Sequence, residues 1–223
     1  MPTPSPNLPQ TLTVSPEWIA AQTLAHWLTE AEQQRLGGFA SPARQRDWLA
    51  GRLAMKRLAW QDWGITPRHC TVGTDGLAPC LSVPGLEHIN WTLSHSSGWG
   101  AASWADTHAE GTAGVDIQEI RPTHPRLAAR ILGADEHAQH NVWREHLGHD
   151  EALLLVWAIK EAAIKARRLP WGHALSSIAV RLNADGTAQV TLPHEPCAFA
   201  ARYARHGEFW VARAVRPLPT PGG

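Results

Sequence analysis

The feature that most constrains this chain is an echo of its first half in its second at a near-constant offset. Trp48 and Lys56 recur 109 residues later as Trp157 and Lys165, each pair framing a helical segment. Asp75-Gly76 recurs 110 residues later as Asp185-Gly186, and Trp99 recurs 111 residues later as Trp210. Each half reads as a helix, a hairpin turning on Asp-Gly, and a closing strand. The fold expected is therefore α+β, two similar α/β lobes rather than one continuous sheet, and ligand sites prefer the interface between such lobes. The expected division is a loose N-terminal tail over 1–14, a first lobe over 15–110, a second lobe over 111–217 and a C-terminal tail over 218–223.

Within the first lobe, Ile19, Leu24, Trp27 and Leu28 at mixed three and four spacing predict a helix over 16–36. Ser41 and Pro42 mark a second start, for a helix that runs to about Trp63, where Gly64 and Pro67 end it. Strands are predicted near 70–72, 81–83, 89–93 and 100–104. The second lobe opens with a strand over 112–120, followed by helical patches over 124–132 and 134–146. Asp150 fits the N-cap of a strong helix over 151–168, stopped near Pro170. A hairpin at Asp185-Gly186 and strands over 198–203 and 209–215 complete the pattern.

Composition narrows the function classes. At 223 residues, 43% apolar and 18% charged, the chain is globular and long enough for a real core. Its formal net charge of zero offers no field to draw a nucleic acid or an anionic membrane. No run approaches the roughly 18 apolar residues of a membrane span, and the proline-rich start lacks a leader pattern, so the cytoplasm is the expected compartment. Cys70, Cys80 and Cys197 are odd in number and widely spaced, which suggests neither a disulfide framework nor a paired-cysteine metal site. Lysine is scarce: 17 basic residues are arginine, and the three lysines are Lys56, Lys160 and Lys165, all in two helical segments. Lysine is a compact point charge that suits phosphate.

Four patches carry candidate chemistry. In Gly114-Val115-Asp116-Ile117-Gln118-Glu119, strand alternation puts Asp116 and Gln118 on one face with Gly114, which leaves room for close approach, and Glu119 on the other. An acid beside a glycine at a strand end suits a hard divalent cation, although a half-buried strand also points acids at solvent. In Trp157-Ala158-Ile159-Lys160-Glu161-Ala162-Ala163-Ile164-Lys165, Trp157, Glu161 and Lys165 share a helix face. Glu161 and Lys165 form the ordinary i,i+4 pair, yet the segment is apolar nearly all round, and buried charges need partners or ligands. A metal held by Asp116 and Glu161, with lysines near a phosphate, satisfies them together. Leu93-Ser94-His95-Ser96-Ser97-Gly98 offers hydroxyls and an imidazole to a phosphate, or is a plain turn. Along 46–56, Arg52 and Lys56 lie on one helix face, ready to grip a phosphate or simply solvated.

Together, Leu93-Ser94-His95-Ser96, then Gly114-Val115-Asp116-Ile117-Gln118, then the 157–165 helix resemble, in order and spacing, the Sfp-type 4'-phosphopantetheinyl transferases. The Arg46-to-Lys56 helix and Arg130-Ile131-Leu132 leading to Glu136 also look like that family, so the likeness spans about residues 28–215. The resemblance implies a pseudo-dimer of two α/β lobes with coenzyme A in the cleft. It implies magnesium-dependent transfer of the phosphopantetheine arm to a serine of an acyl or peptidyl carrier protein, with release of 3',5'-adenosine bisphosphate. By the same resemblance, Asp116 and Glu161 match magnesium ligands, with Gln118 where the family usually has a third, acidic one. Lys160, Lys165 and His95, beside Ser94, match residues that meet coenzyme A phosphates, and Arg52, Arg46 and Lys56 lie on the helix that matches the nucleotide end. Glu161 is the expected base for the serine proton, Asp116 holds the metal and Lys165 offsets phosphate charge.

Two departures from the family pattern stand out. Gln118 is neutral, so metal affinity is expected to fall. The run Gly76-Leu77-Ala78-Pro79 lacks the lysine that the family commonly shows, so one nucleotide-phosphate contact is expected to be missing or supplied by an arginine such as Arg68. The segment 120–132, with Arg121, Arg126 and Arg130 among apolar residues, is expected to dock the carrier, or to be a solvated amphipathic helix. Paired lobes form their cleft without a second copy, so a monomer is expected. Two other readings are a carrier or coenzyme A binding module without turnover, motivated by Gln118 and the missing lysine, and a zinc site from the i,i+3 pair His137 and His140 with Glu136.

Overall fold

A four-residue alternation, Thr11-Leu12-Thr13-Val14, starts the fold as strand β1 (Thr11–Val14), with Val14 buried. This corrects the expectation of a loose tail through residue 14: Thr11 lies opposite Ser103, and Val14 opposite Gly100, in an antiparallel ladder. The computed structural model describes residues 8–75, 78–168, 174–195 and 198–218. Gly76 of the first Asp-Gly turn, the Gly76-Leu77 part of the run before Pro79, the helix stop at Pro170, Cys197, half of the N-terminal tail and most of the C-terminal one lie outside the described residues.

The single helix expected over 16–36 is three: α1 (Pro16–Ala20), α2 (Leu24–Trp27) and α3 (Glu30–Gly37). Thr29 and Glu32 form a capping box that starts α3 afresh, a Thr-x-x-Glu signal hidden inside the apolar periodicity. Helix α4 (Pro42–Trp63) begins where Ser41 accepts from the Arg44 N–H and ends at left-handed Gly64. Then come β2 (Thr71–Asp75), β3 (Ala78–Ser82), β4 (Ile89–Ser96) and β5 (Trp99–Asp106).

The second lobe repeats this order with β6 (Thr112–Glu119), α5 (Leu127–Ile131), α6 (Glu136–Leu147), α7 (His149–Arg167), β7 (Ala179–Leu182), β8 (Thr187–Thr191), β9 (Phe199–His206) and β10 (Phe209–Arg216). Asp150 does not cap α7, which follows Gly148; its carboxylate instead accepts from the Thr123 N–H and hydroxyl. The first lobe holds a three-stranded sheet, β1-β5-β4, and a separate β2-β3 hairpin; the second has one sheet, β6-β10-β9-β8-β7. Each long helix covers its own sheet: Met55 and Leu58 of α4 pack with Ile89 and Trp91, and Leu155 and Ile159 of α7 pack with Phe199 and Tyr203. Val115 and Ile117 of β6 join Ala101, Phe209 and Val211 in an apolar layer that spans the lobe boundary.

Two buried lysines fix the register of the repeat. Lys56 Nζ meets Glu32 Oε2 at 2.5 Å and donates to the carbonyls of Trp27 and Pro67 at 3.0 Å. Lys160 Nζ meets Glu136 Oε2 at 2.5 Å and donates to the carbonyls of Ile131 and Leu175 at 2.6 and 3.2 Å. The other carboxylate oxygen accepts the N–H of Val72 in one lobe and of Val180 in the other. Lys56 therefore corresponds to Lys160, 104 residues on, and not to Lys165 as the tryptophan-anchored echo suggested. Strands β4 and β5 return as β9 and β10 at an offset of 110.

Candidate active site

The site forms where strand β4 of the first lobe lies along β6 of the second. β6 is an edge strand, so its outward N–H groups have no neighbouring strand. Side chains of β4 take them instead. Asn90 Oδ1 accepts from Ala113 N, Thr92 Oγ1 from Val115 N and Ser96 Oγ from Glu119 N, at 2.5, 3.2 and 3.3 Å. These residues alternate with Ile89, Trp91 and Leu93, which pack on the α4 side. The polar–apolar alternation from 89 to 96 is the signal that sequence reasoning passed over.

Within this seam Ser94 donates to Asp116 Oδ1 at 2.7 Å and accepts from Lys165 Nζ at 2.9 Å. Lys165 Nζ also reaches Asp116 Oδ1 at 2.6 Å and the Val115 carbonyl at 3.1 Å. Helix α7 can lie this close because of Gly114, where a Cβ would come 1.9 Å from the Ala162 carbonyl oxygen. Glu161 stands one turn before Lys165. Burial and the charge of Asp116 push its carboxyl up from the ordinary range, with Lys165 offsetting part. Among the described residues its carboxylate has no hydrogen-bond or ion-pair partner. Two carboxylates that repel one another, with the half-buried Gln118 two residues along β6, form a hard oxygen donor set suited to magnesium. Among the described residues no cluster of three or more His, Cys, Asp or Glu side chains is placed to hold a metal. The Glu119 carboxylate is taken by Ser97 Oγ at 2.7 Å.

The other expected residues divide. His95 is half-exposed beside Asp47, Nδ1 to Oδ2 3.9 Å, and burial holds its pKa below the usual histidine range. Asp47 also accepts the Gly98 N–H at 2.8 Å and so holds the β4–β5 turn. Arg52 stacks on the Trp48 ring at 3.8 Å, its Nε has no hydrogen-bond partner, and burial pushes its pKa down to about 10. Arg46 is exposed on the first turns of α4. Lys56 and Lys160 are corrected outright: both side chains are fully buried among three acceptors each and reach no phosphate, whereas Lys165, also with three acceptors, stays partly exposed. The apolar wrapping of α7 was legible, but not that the lysine it buried was Lys160. The zinc reading fails too, because Glu136 is consumed by Lys160, Gly133 N and Val180 N, and His137 is exposed. Arg121, Arg126 and Arg130 are exposed along 120–132.

Fold and site thus define a two-lobed α+β protein with an acid–lysine site at the lobe boundary. Comparison with known proteins names the class more closely. Residues 112–214 match the model of the 4'-phosphopantetheinyl transferase superfamily. The chain is 29% identical over 155 residues to a 4'-phosphopantetheinyl transferase of Bacillus pumilus, psf-1; the match covers 68% of this chain and 64% of that relative. Among solved structures, the holo-[acyl-carrier-protein] synthase of Thermotoga maritima aligns at 23% identity and a TM-score of 0.39, over 46% of this chain and 61% of that one. The holo-ACP-synthase of Plasmodium yoelii aligns at 15% identity and the same TM-score of 0.39, over 46% of this chain and 91% of that one.

Proposed function

We propose that this protein moves the 4'-phosphopantetheine arm of coenzyme A to a serine hydroxyl of an apo acyl or peptidyl carrier protein. The observation that carries the reading is the cluster of Asp116, Glu161 and Lys165 at the lobe boundary, within the residues that match the superfamily. The serine oxygen attacks the phosphorus on the pantetheine side of the diphosphate. The bond from that phosphorus to the bridging oxygen breaks, and 3',5'-adenosine bisphosphate leaves with the electron pair. Glu161 takes the serine proton, directly or through water, a role that its raised proton affinity favours. Lys165, whose side chain is 30% exposed, supplies positive charge to the non-bridging oxygens. His95, Arg52 and Arg46 bind the nucleotide end. Magnesium held by Asp116, Glu161 and Gln118 would supply charge neutralisation of the diphosphate.

The exposed arginines of 120–132 steer an acidic carrier surface. One chain supplies both sides of the site, so the working unit is a monomer. Among the described residues no helix is long and apolar enough to cross a membrane, and we place the reaction in the cytoplasm. Gln118 keeps a second reading in play, a module that binds coenzyme A or a carrier without turnover.

Intact-protein mass spectrometry of an apo carrier incubated with the protein, coenzyme A and magnesium tests the reading. The expected result is a gain of one phosphopantetheine arm, absent with Asp116→Ala. Coenzyme A binding with no gain on any of several carriers would overturn the transferase and leave the binding module. If Glu161→Gln weakens metal binding yet keeps the full rate at saturating magnesium, Glu161 is not the base.

A further inference from the structure

We propose that Thr92 is a positioning residue for Lys165 and Asp116, resting on the reading that those two groups serve the transfer. Thr92 is 3% exposed and hydrogen-bonds to Val115 rather than to either of them. Its Oγ1 accepts the Val115 N–H at 3.2 Å, and the carbonyl of the same residue accepts from Lys165 Nζ at 3.1 Å. Thr92 thus anchors the Gly114–Val115 peptide, and the next peptide carries both the carbonyl that Lys165 meets and the link to Asp116. Two residues along the same face of β4, Ser94 holds Asp116 and Lys165 by their side chains. The ammonium of Lys165 has three donors, and Ser94 Oγ, Val115 O and Asp116 Oδ1 account for all of them. Thr92 stands behind the one backbone acceptor in that set.

The physical reason is the exposed edge of β6. No strand pairs with its outer side, so its position relative to the first lobe depends on the side chains of β4. A valine at 92 would fill the same volume but leave the Val115 N–H buried without an acceptor, and β6 would shift to find one. The Asn90–Ala113 bond at 2.5 Å is of the same kind but lies farther from Asp116 and Lys165 along both strands. It therefore separates a general seam effect from a positioning effect.

Lysine scarcity gives a readout that needs neither metal nor turnover. Lys56 and Lys160 have fully buried side chains, whereas that of Lys165 is 30% exposed. An amine-reactive reagent followed by peptide mapping thus reports on Lys165 apart from the chain terminus. Thr92→Val is expected to raise the Lys165 labelling rate roughly fivefold, the equivalent of one net hydrogen bond. It is also expected to lower kcat about tenfold while KM for coenzyme A stays within about twofold. Thr92→Ser restores both, and Asn90→Ala lowers Tm but leaves labelling and kcat at the parent values. Parent-like labelling in Thr92→Val, or the same two changes in Asn90→Ala, would overturn the proposal. If labelling responds as expected while the unaltered protein transfers nothing, the proposed function fails and the positioning role stands.

Discussion

The two lobes place different side chains on the same framework positions. At the offset of 104 that relates Lys56 to Lys160, Asp116, Glu161 and Lys165 correspond to Leu12, Arg57 and Gln61. Strand register gives the same correspondence, since Leu12 lies opposite Ala102 on β5 as Asp116 lies opposite Ala212 on β10. Leu12 and Gln61, with Leu58, Asp62 and Trp104, line a cavity of about 480 Å³ in the first lobe. Arg57 turns aside to lie over the Trp18 ring at 4.5 Å. The fold thus builds this corner twice, and only one copy holds the acid–lysine set. A duplicated framework fixes where a site can be; a few side chains decide whether chemistry happens there.

The sharpest way to break that comparison is to truncate equivalent positions. Asp116→Ala should reduce carrier modification on the order of 10³-fold or more, while Leu12→Ala leaves it within about threefold, as read by mass spectrometry. Equal losses would mean that the corner matters as scaffold. Next are the paired lysines. Burial pulls the Lys160 ammonium toward its neutral form, and Glu136 opposes that shift. Lys160→Met should cost about 3–5 kcal/mol in urea unfolding, because Glu136 is left buried and unpaired. Lys56→Met should cost a similar amount through Glu32, and Lys160→Met with Glu136→Leu should recover most of the loss. A third test restores an acid: Gln118→Glu should lower the magnesium needed for half-maximal rate about tenfold. No change would remove Gln118 from the metal set.

The smallest effect concerns His140, which stands where the first lobe has Leu36. Burial, with His149 nearby, lowers its pKa below the ordinary 6.5. The unfolded chain therefore takes up this proton first as pH falls through 6.5, and the folded state loses stability until His140 itself is protonated. His140→Leu should flatten that part of the Tm–pH profile by less than about 1 kcal/mol, with no change above pH 7. An unchanged slope would mean that another histidine carries it.

Much of the architecture could be read before any coordinates. Helix α4 announced itself by Ser41-Pro42 and Gly64, and the second hairpin by Asp185-Gly186, because caps and turns are local chemistry. The ordered motifs drew attention to Ser94, Asp116, Glu161 and Lys165, which the structure gathers at one boundary. Three features were misread for one reason. Lys56 and Lys160 looked like phosphate ligands, the repeat was aligned on tryptophans, and Glu136 was offered to zinc. Each error took a charged or aromatic residue at face value where a partner at least 24 residues away in the chain decides its role.

By itself the sequence pointed to two similar lobes, to the long helices and most of the later strands, and to the motifs that deserve chemistry, since periodicity and capping act over a few residues. Only the tertiary structure decided which lysine is buried and which reaches the site, and which lobe carries the acids. It alone set the register in which β4 meets β6. Burial and charge pairing are properties of space rather than of sequence spacing, and an ammonium at position 160 or 165 looks the same until its three acceptors are known.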